Sequence, residues 1–247
     1  MFWKLTMTAF MMTLVAPLTA CGGARAEVEL PPLHGRNFAY QGHKQGDGAK
    51  TLSIALIRPK FSASYAAKFN SRDDGGQAYL AALDRALLNY FTVNGFTVSG
   101  PFESLDAMTF PEKKQVDLVL LPEADYDWQL PTTRAFSMRE GFPREDRPYM
   151  HAHGLLRMTG ALHFTLWEPL SGQRMWTKDV QAADQSVNVQ LEAAPLELYQ
   201  RVMDNAVAKC QEASFKQAVA QMERYFHPDE VRLVKEQAVE LRAKKVY

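Results

Sequence analysis

Three groups of side chains in this sequence have types and spacings that could do chemistry. The first is histidine: His151 and His153 are two residues apart, and His163 lies on a predicted strand that follows. Two histidines at this spacing could share a metal ion, but a structural zinc site needs four close ligands. No cysteine or third nearby histidine completes that set. We therefore expect no metal and no cofactor, and we interpret the first two histidines as solvent-exposed loop residues.

The second group is acidic. Glu123, Asp125 and Asp127 alternate with alanine and aromatic residues. Paired carboxylates can act as acid and base in glycoside hydrolysis, but this alternation also places all three on the polar face of an ordinary strand. The sequence contains no Gly-x-Ser-x-Gly elbow, no phosphate-binding glycine loop and no His-Glu-x-x-His motif. The pattern therefore predicts a protein that is not an enzyme.

The third group combines cations with an aromatic ring. Arg134, Phe136 and Arg139 lie in a proline-rich, charged stretch over 130–152, which we expect to be an irregular loop. Guanidinium groups bind carboxylates through paired hydrogen bonds, and an aromatic ring can stack on a sugar. The three residues are candidates for binding an acidic glycan. A solvated loop that binds nothing has the same composition.

The elements that must position these residues follow from hydrophobic periodicity. Runs of apolar or alternating residues predict strands, and apolar residues spaced by three and four predict helices. The predicted elements are strands at 51–58, 96–99, 116–121, 155–168 and 174–180, and helices at 75–93, 196–224 and 229–245. Their order indicates an α+β fold. We expect a mixed, mostly antiparallel sheet with helices packed on one face and a C-terminal helical segment.

The N-terminus has the pattern of a bacterial secretory signal. Lys4 precedes an apolar run over 5–17, and small residues lead to Leu18-Thr19-Ala20-Cys21. This resembles the lipobox of bacterial lipoproteins, in which the cysteine receives acyl chains, palmitate among them, and becomes the new N-terminus. The alternatives are a plain exported protein and a single membrane anchor. The segment after Cys21 begins with two glycines and lacks the aspartate that retains such proteins in the inner membrane, so we expect the outer membrane.

These observations divide the chain into four parts. Residues 1–20 are a signal peptide, 21–50 a lipidated flexible tether, 51–226 the α+β domain and 227–247 a charged C-terminal helix. Phe38 and Tyr40 could dock on the domain. If Cys21 carries lipid, Cys210 is left without an intrachain partner, and we interpret it as a small buried hydrophobe, an intermolecular disulfide being the alternative.

The overall charge gives no sign of nucleic-acid binding. The chain has 28 basic and 28 acidic residues, and it contains no basic block of the kind that binds phosphate backbones. We therefore predict no nucleic-acid partner. The expected partners are the membrane, through the lipid anchor, and either a glycan or other envelope proteins.

Several segments in the same order resemble the HpaA family, the neuraminyllactose-binding haemagglutinins. They span about residues 50–245 and are Leu56–Phe61, Asn94–Val98, Val116–Leu121, Leu166–Gly172 and Val239–Lys245. The family consists of outer-membrane and flagellar-sheath lipoproteins, so the resemblance implies an adhesin that binds host sialylated glycans. The basic heptad implicated in that binding falls near Thr133–Arg139 here. Arg134 and Arg139 keep its basic character, and Phe136 keeps its apolar centre.

A structural role is the alternative to an adhesin. The chain could coat a flagellar sheath or support an envelope assembly through protein contacts, and a transport accessory would share the same anchor and layout. A further question is the apolar stripe of the terminal helix, formed by Val231, Val234, Ala238 and Leu241. Such a stripe either packs on its own domain or mediates self-association.

Overall fold

A computed structural model describes residues 29–36, 38, 40, 51–68, 74–136 and 149–244. Seven strands and five helices are found in this part of the chain. In chain order they are β1 (Ser53–Ile57), β2 (Lys60–Phe61), α1 (Ala63–Lys68), α2 (Asp74–Val93), β3 (Thr97–Phe102), α3 (Phe110–Gln115), β4 (Leu118–Gln129), β5 (Thr132–Phe136), β6 (Tyr149–Glu168), β7 (Gln173–Pro195), α4 (Leu196–Tyr225) and α5 (Pro228–Lys244).

The strands form one mixed sheet. β1 lies between β3 and β4 and is parallel to both, and the short β2 is also parallel to β4. β6 is antiparallel to all its neighbours: β4 and β5 follow one another along one edge, and β7 runs along the other. The α+β class, the mixed and mostly antiparallel sheet and the C-terminal helices are therefore confirmed.

The long strand β6 shows how the sequence separates the two faces of the sheet. Its even-numbered apolar residues, from Ala152 to Leu166, are buried in the main core beneath the helices. Its odd-numbered residues, among them His151, His153 and His163, point to the opposite face because successive side chains of a strand alternate. Among the described residues, a small cluster near β1 that includes Ile57, Met108 and Val119 covers part of that opposite face.

Helices α2 and α4 cover the core face. In α2, Tyr79, Leu83, Leu87 and Phe91 are fully buried, as the spacing of three and four predicts. Asn94-Gly95 ends this helix: Gly95 has a φ of 87°, a left-handed conformation that glycine adopts without strain. Helix α4 runs back along β7, where Gln221 donates a hydrogen bond to the carbonyl oxygen of Gln181.

Several boundaries differ from the prediction. The stretch 130–152 is not wholly irregular, because β5 and the start of β6 pair within it; residues 137–148 lie outside the described residues. β7 does not end at Val180 but continues to Pro195, where Val187, Val189 and Leu191 alternate with polar residues. β4 continues to Gln129. β3 passes through Gly100-Pro101, which the sequence predicted as its end.

Residues before the first strand pack on the domain. We call the described residues 29–36, 38 and 40 the strap. Phe38 is 3% exposed and stacks on Phe215 of α4, with ring centroids 5.2 Å apart. The hydroxyl of Tyr40 donates a hydrogen bond of 2.9 Å to Glu223. Both aromatic residues therefore dock on the domain.

Two smaller predictions concern single residues of the C-terminal helices. Cys210 is buried, and burial raises the pKa of its thiol to about 11. It behaves as a small hydrophobe, as predicted. In α5, Val231, Val234 and Ala238 are buried against the domain, so the apolar stripe packs on its own chain.

Candidate functional site

Of the three predicted glycan-binding residues, only Arg134 has both its backbone and its side chain described by the structure. Arg134 is an exposed residue of β5, opposite His151 of β6. It therefore lies on a strand and not in an irregular loop. Phe136 is the last residue of the same strand. Arg139, like the predicted lipidation site Cys21, lies outside the described residues.

Arg134 lines an open groove of about 530 Å³ on the face of the sheet away from the helices. The register brings the lining residues together in rows: Thr132 pairs with His153, and His153 pairs with Gln190. A second groove of about 460 Å³ shares Thr132 and His153 and continues past Leu155 to Arg157. Together the grooves form a trough across β5, β6 and β7, which is lined by polar side chains and also by Leu155 and Leu191.

The trough combines hydrogen-bonding groups with the cationic side chain of Arg134. No carboxylate among the described residues forms an ion pair with Arg134, and Glu192 lies on the same groove. Nδ1 of His151 accepts a hydrogen bond of 3.3 Å from the backbone amide of Ala193, which has a positive φ of 50°. An unpaired guanidinium beside amide, hydroxyl and imidazole groups can bind an anionic polyhydroxyl ligand.

His151 and His153 were predicted as loop imidazoles, but both lie on β6. Thr132, Gln190 and Glu192 are members of the trough that the sequence analysis missed, and the last two had a sequence signal. Residues 186–192 alternate between polar and apolar types, which is typical of a strand. With β7 extended, pairing with β6 places Gln190 opposite His153.

A second polar cluster lies further along the same face. Nδ1 of His163 is 2.6 Å from Asp179 Oδ1, and its Nε2 is 3.9 Å from Asp125 Oδ2. Ser62 and Ser64 donate hydrogen bonds of 2.6 and 2.7 Å to Asp125. Glu123, at 3.4 Å from Lys60 Nζ, belongs to the same row of acids.

This cluster does not have the geometry of an activated nucleophile. In a serine–histidine pair the hydroxyl donates to the imidazole, whereas the described contacts of His163 are with Asp179 and Asp125, and both serines donate to Asp125. Glu123 and Asp125 lie on one face of β4 with partners on neighbouring strands, as a polar sheet face requires. Within the described ranges, no group of three or more histidine, cysteine, aspartate or glutamate side chains is arranged to hold a metal ion.

Comparison with known proteins identifies the fold. No protein-family model and no curated protein matches the chain. Among solved structures, one named as a neuraminyllactose-binding hemagglutinin homologue from Helicobacter pylori is similar, with a TM-score of 0.54 and 14% identity. The similarity covers 84% of this chain and 98% of that chain. At this identity the likeness establishes a shared fold.

Two further structures are more distant. A protein from Xanthomonas campestris has a TM-score of 0.32 and 8% identity, with 82% of this chain and 97% of that chain covered. A lipoprotein from Neisseria meningitidis has a TM-score of 0.24 and 13% identity, with 64% and 96% covered. Neither adds to the assignment of the fold. No helix in the described part of the chain is long and apolar enough to cross a membrane.

Proposed function

We propose that this chain is a non-enzymatic bacterial lipoprotein of the haemagglutinin type, anchored to the outer membrane through Cys21. The observation that carries the proposal is the fold shared with the hemagglutinin homologue over 98% of that chain. The lipobox pattern at Leu18–Cys21 supports the anchor, and the balanced charge agrees with a role at a surface other than nucleic acid.

We further propose that the trough around Arg134 binds an acidic saccharide. The guanidinium would pair with the sugar carboxylate, and the Gln190 and Thr132 side chains would bind hydroxyl groups. Phe136 and Arg139 remain candidates for the same ligand from the sequence. The proposal rests on the Arg134 guanidinium, which has no ion pair among the described residues, and on the hydroxyl and amide groups of the same groove.

Binding of sialyllactose by the detergent-solubilised full chain tests this site, with neutral lactose as the control sugar. Arg134→Ala should weaken binding by roughly tenfold or more, because a charge-assisted hydrogen bond contributes about 1.5–3 kcal/mol. Arg58→Ala is the matched control, since Arg58 is exposed at the far end of the sheet and pairs with Glu103 at 2.8 Å. Equal binding by the two variants, or equal binding of both sugars, would contradict the proposal.

A structural envelope role, the flagellar sheath included, is the second candidate. The observation that favours it is the outer face of α5, where Leu233 is 56% and Val239 is 51% exposed. A scaffold protein that binds its partners through this face should still be cross-linked to them in cells when Arg134 is replaced. It should lose them when Leu233 and Val239 are replaced by glutamate.

A further inference from the structure

The strap has a direction that determines which end of the domain is nearest the N-terminus. Asn205 of α4 holds its beginning: its Oδ1 accepts a hydrogen bond of 2.7 Å from His34 N–H, and its Nδ2 donates one of 2.9 Å to the Pro32 carbonyl. Tyr40 reaches Glu223 near the end of α4. The strap therefore runs alongside α4 in the same direction, from its N-terminal part to its C-terminal part.

The N-terminus of α4 lies at one end of the sheet. Leu196 begins this helix directly after Pro195, the last residue of β7, and Pro195 pairs with Tyr149, the first residue of β6. We call this the arm end; it also holds β5 and the groove around Arg134. The opposite, hairpin end holds the turn between β6 and β7. Going backwards along the chain from Pro32, the direction of the strap leads toward the arm end.

The length of chain before the strap limits how far the arm end can be from an anchor. From Cys21 to Glu29 there are eight residue steps, which span about 28 Å at most. β6 alone, with 20 residues, extends about 65 Å from one end of the sheet toward the other. A lipid on Cys21 can therefore hold the arm end at the bilayer surface, whereas the hairpin end lies much further away.

Exposed apolar side chains occur in the strap and at the first residue of α4. Leu33 is 63% exposed, Leu30 36% and Leu196 37%. Exposed leucines beside a lipid anchor can insert into the interfacial region of a bilayer and strengthen attachment. These residues give the arm end a surface that suits lipid contact.

We propose that the lipidated protein stands on its membrane on the arm end, with the hairpin end directed away. This inference rests on the proposed lipidation of Cys21. The arm-end surface contacts the bilayer into which the protein's own acyl chains are inserted. The groove around Arg134 then lies near the headgroups of that membrane, so an acidic saccharide bound there would come from the same membrane.

Fluorescence quenching in reconstituted vesicles tests the orientation. The full lipidated chain, in a Cys210→Ala background, carries one fluorophore at Leu196→Cys or at Gln173→Cys. Vesicles of phosphatidylethanolamine and phosphatidylglycerol contain a lipid with a nitroxide on its headgroup. We expect several-fold stronger quenching at position 196 than at position 173. Equal or reversed quenching overturns the orientation.

Two additional measurements distinguish the contribution of the strap from that of acylation. The double variant Asn205→Ala/Glu212→Ala removes the hydrogen bonds that Asn205 makes with His34 and Pro32 and the contact of 2.8 Å between His34 Nε2 and Glu212 Oε2, so it should reduce the difference between the two positions. An unchanged difference overturns the role of the strap. The mass of the reconstituted protein reports acylation. An unacylated chain overturns both this inference and the proposed lipoprotein, whereas an acylated chain with reversed quenching overturns the orientation alone.

Discussion

At the scale of single residues, Glu168 and Arg242 form the most deeply buried ion pair described in the structure. The Glu168 side chain has no exposed surface, and its Oε1 accepts a hydrogen bond of 2.6 Å from Arg242 Nε. Backbone amides of Leu170 and Ser171 also donate to this carboxylate. Arg242 in turn donates to the carbonyl oxygens of Val116 and Asp117. The pair thus fastens the end of α5 to the β6–β7 turn and to the start of β4.

Removing the cation should leave a buried carboxylate without its charge partner. We expect Arg242→Ala to lower the free energy of unfolding by about 2–4 kcal/mol. Arg232→Ala is the matched control on the same helix, because Arg232 pairs with Asp229 at an exposed position and such pairs contribute about 0–1 kcal/mol. Urea unfolding measures both. Similar losses for the two variants would show that the pair does not fasten the helix.

The same carboxylate gives a prediction for pH. Burial raises the pKa of Glu168, but hydrogen bonds from Ser171, Arg242 and the Leu170 amide lower it, and the result lies below the usual value. A carboxylate with a lowered folded-state pKa stabilises the fold above its unfolded pKa of about 4.3, and this contribution is lost as the pH falls through the folded value.

Glu168→Gln cannot titrate, so it should lack this contribution at neutral pH. We expect the difference in unfolding free energy between wild type and Glu168→Gln to be largest at neutral pH and to shrink below about pH 4.3. Thermal unfolding across this range measures it. A difference that is constant with pH would contradict the assigned role of the charge.

At the scale of elements, the pairing of β4 with β6 depends on a glycine. Gly160 has a φ of 139°, and a Cβ at this position would meet the Asp125 carbonyl oxygen and lie 2.8 Å from Tyr126 Cα. Gly154, on the same strand, has a φ of 119°, but its nearest neighbours would be 3.9 Å from a Cβ. The two positions therefore have similar backbone conformations but differ in the room available for a Cβ atom.

This contrast predicts different costs for the same substitution. Gly154→Ala should cost about 1–3 kcal/mol from the unfavourable backbone conformation alone. Gly160→Ala has the same backbone cost and must also separate β4 from β6, so it should destabilise the protein considerably more or prevent folding. Urea midpoints and yields of folded protein measure the difference. Equal costs would indicate that the strands do not approach closely at Gly160.

The elements also show which parts of this fold can be predicted from sequence patterns. Strand β1, helix α2 and helix α4 could be predicted, because each buries a local apolar pattern of the correct period. The second half of β7 was missed because a hairpin partner was expected to stop at Val180. The alternation over 186–192 indicates the continuation, but no local signal shows that β5 and β6 pair across 137–148.

The candidate site was predictable only in part, for a related reason. Arg134 was chosen for its chemistry, and it does line a groove. Its companions His151 and Gln190 come from other strands, and only the register brings them together. The contact between Glu168 and Arg242 joins residues 74 positions apart, so neither residue carries a sign of it in its neighbourhood. The contacts between the strap and α4 join residues that are even further apart in the sequence.

At the scale of the whole molecule, the two ends of the sheet have different roles in our account. The groove lies at the arm end, and the beginning of the strap lies toward it. At the hairpin end, Arg242 of α5 contacts Glu168 beside the β6–β7 turn. An adhesin that reaches another cell would present its site at the end away from the membrane. If the lipidated protein stands on the arm end, as we propose, the groove around Arg134 lies at the end nearest the membrane, and this orientation favours a ligand within the membrane that carries the protein.

The proposed membrane anchor requires the attachment of acyl chains to Cys21, and one measurement tests this attachment directly. Cells expressing the wild-type chain or Cys21→Ser are labelled with radioactive palmitate and separated into membrane and soluble fractions. We expect the wild type to carry label in the outer-membrane fraction, and Cys21→Ser to be unlabelled and to leave that fraction. A Cys21→Ser protein that remains labelled and membrane-bound would contradict the account.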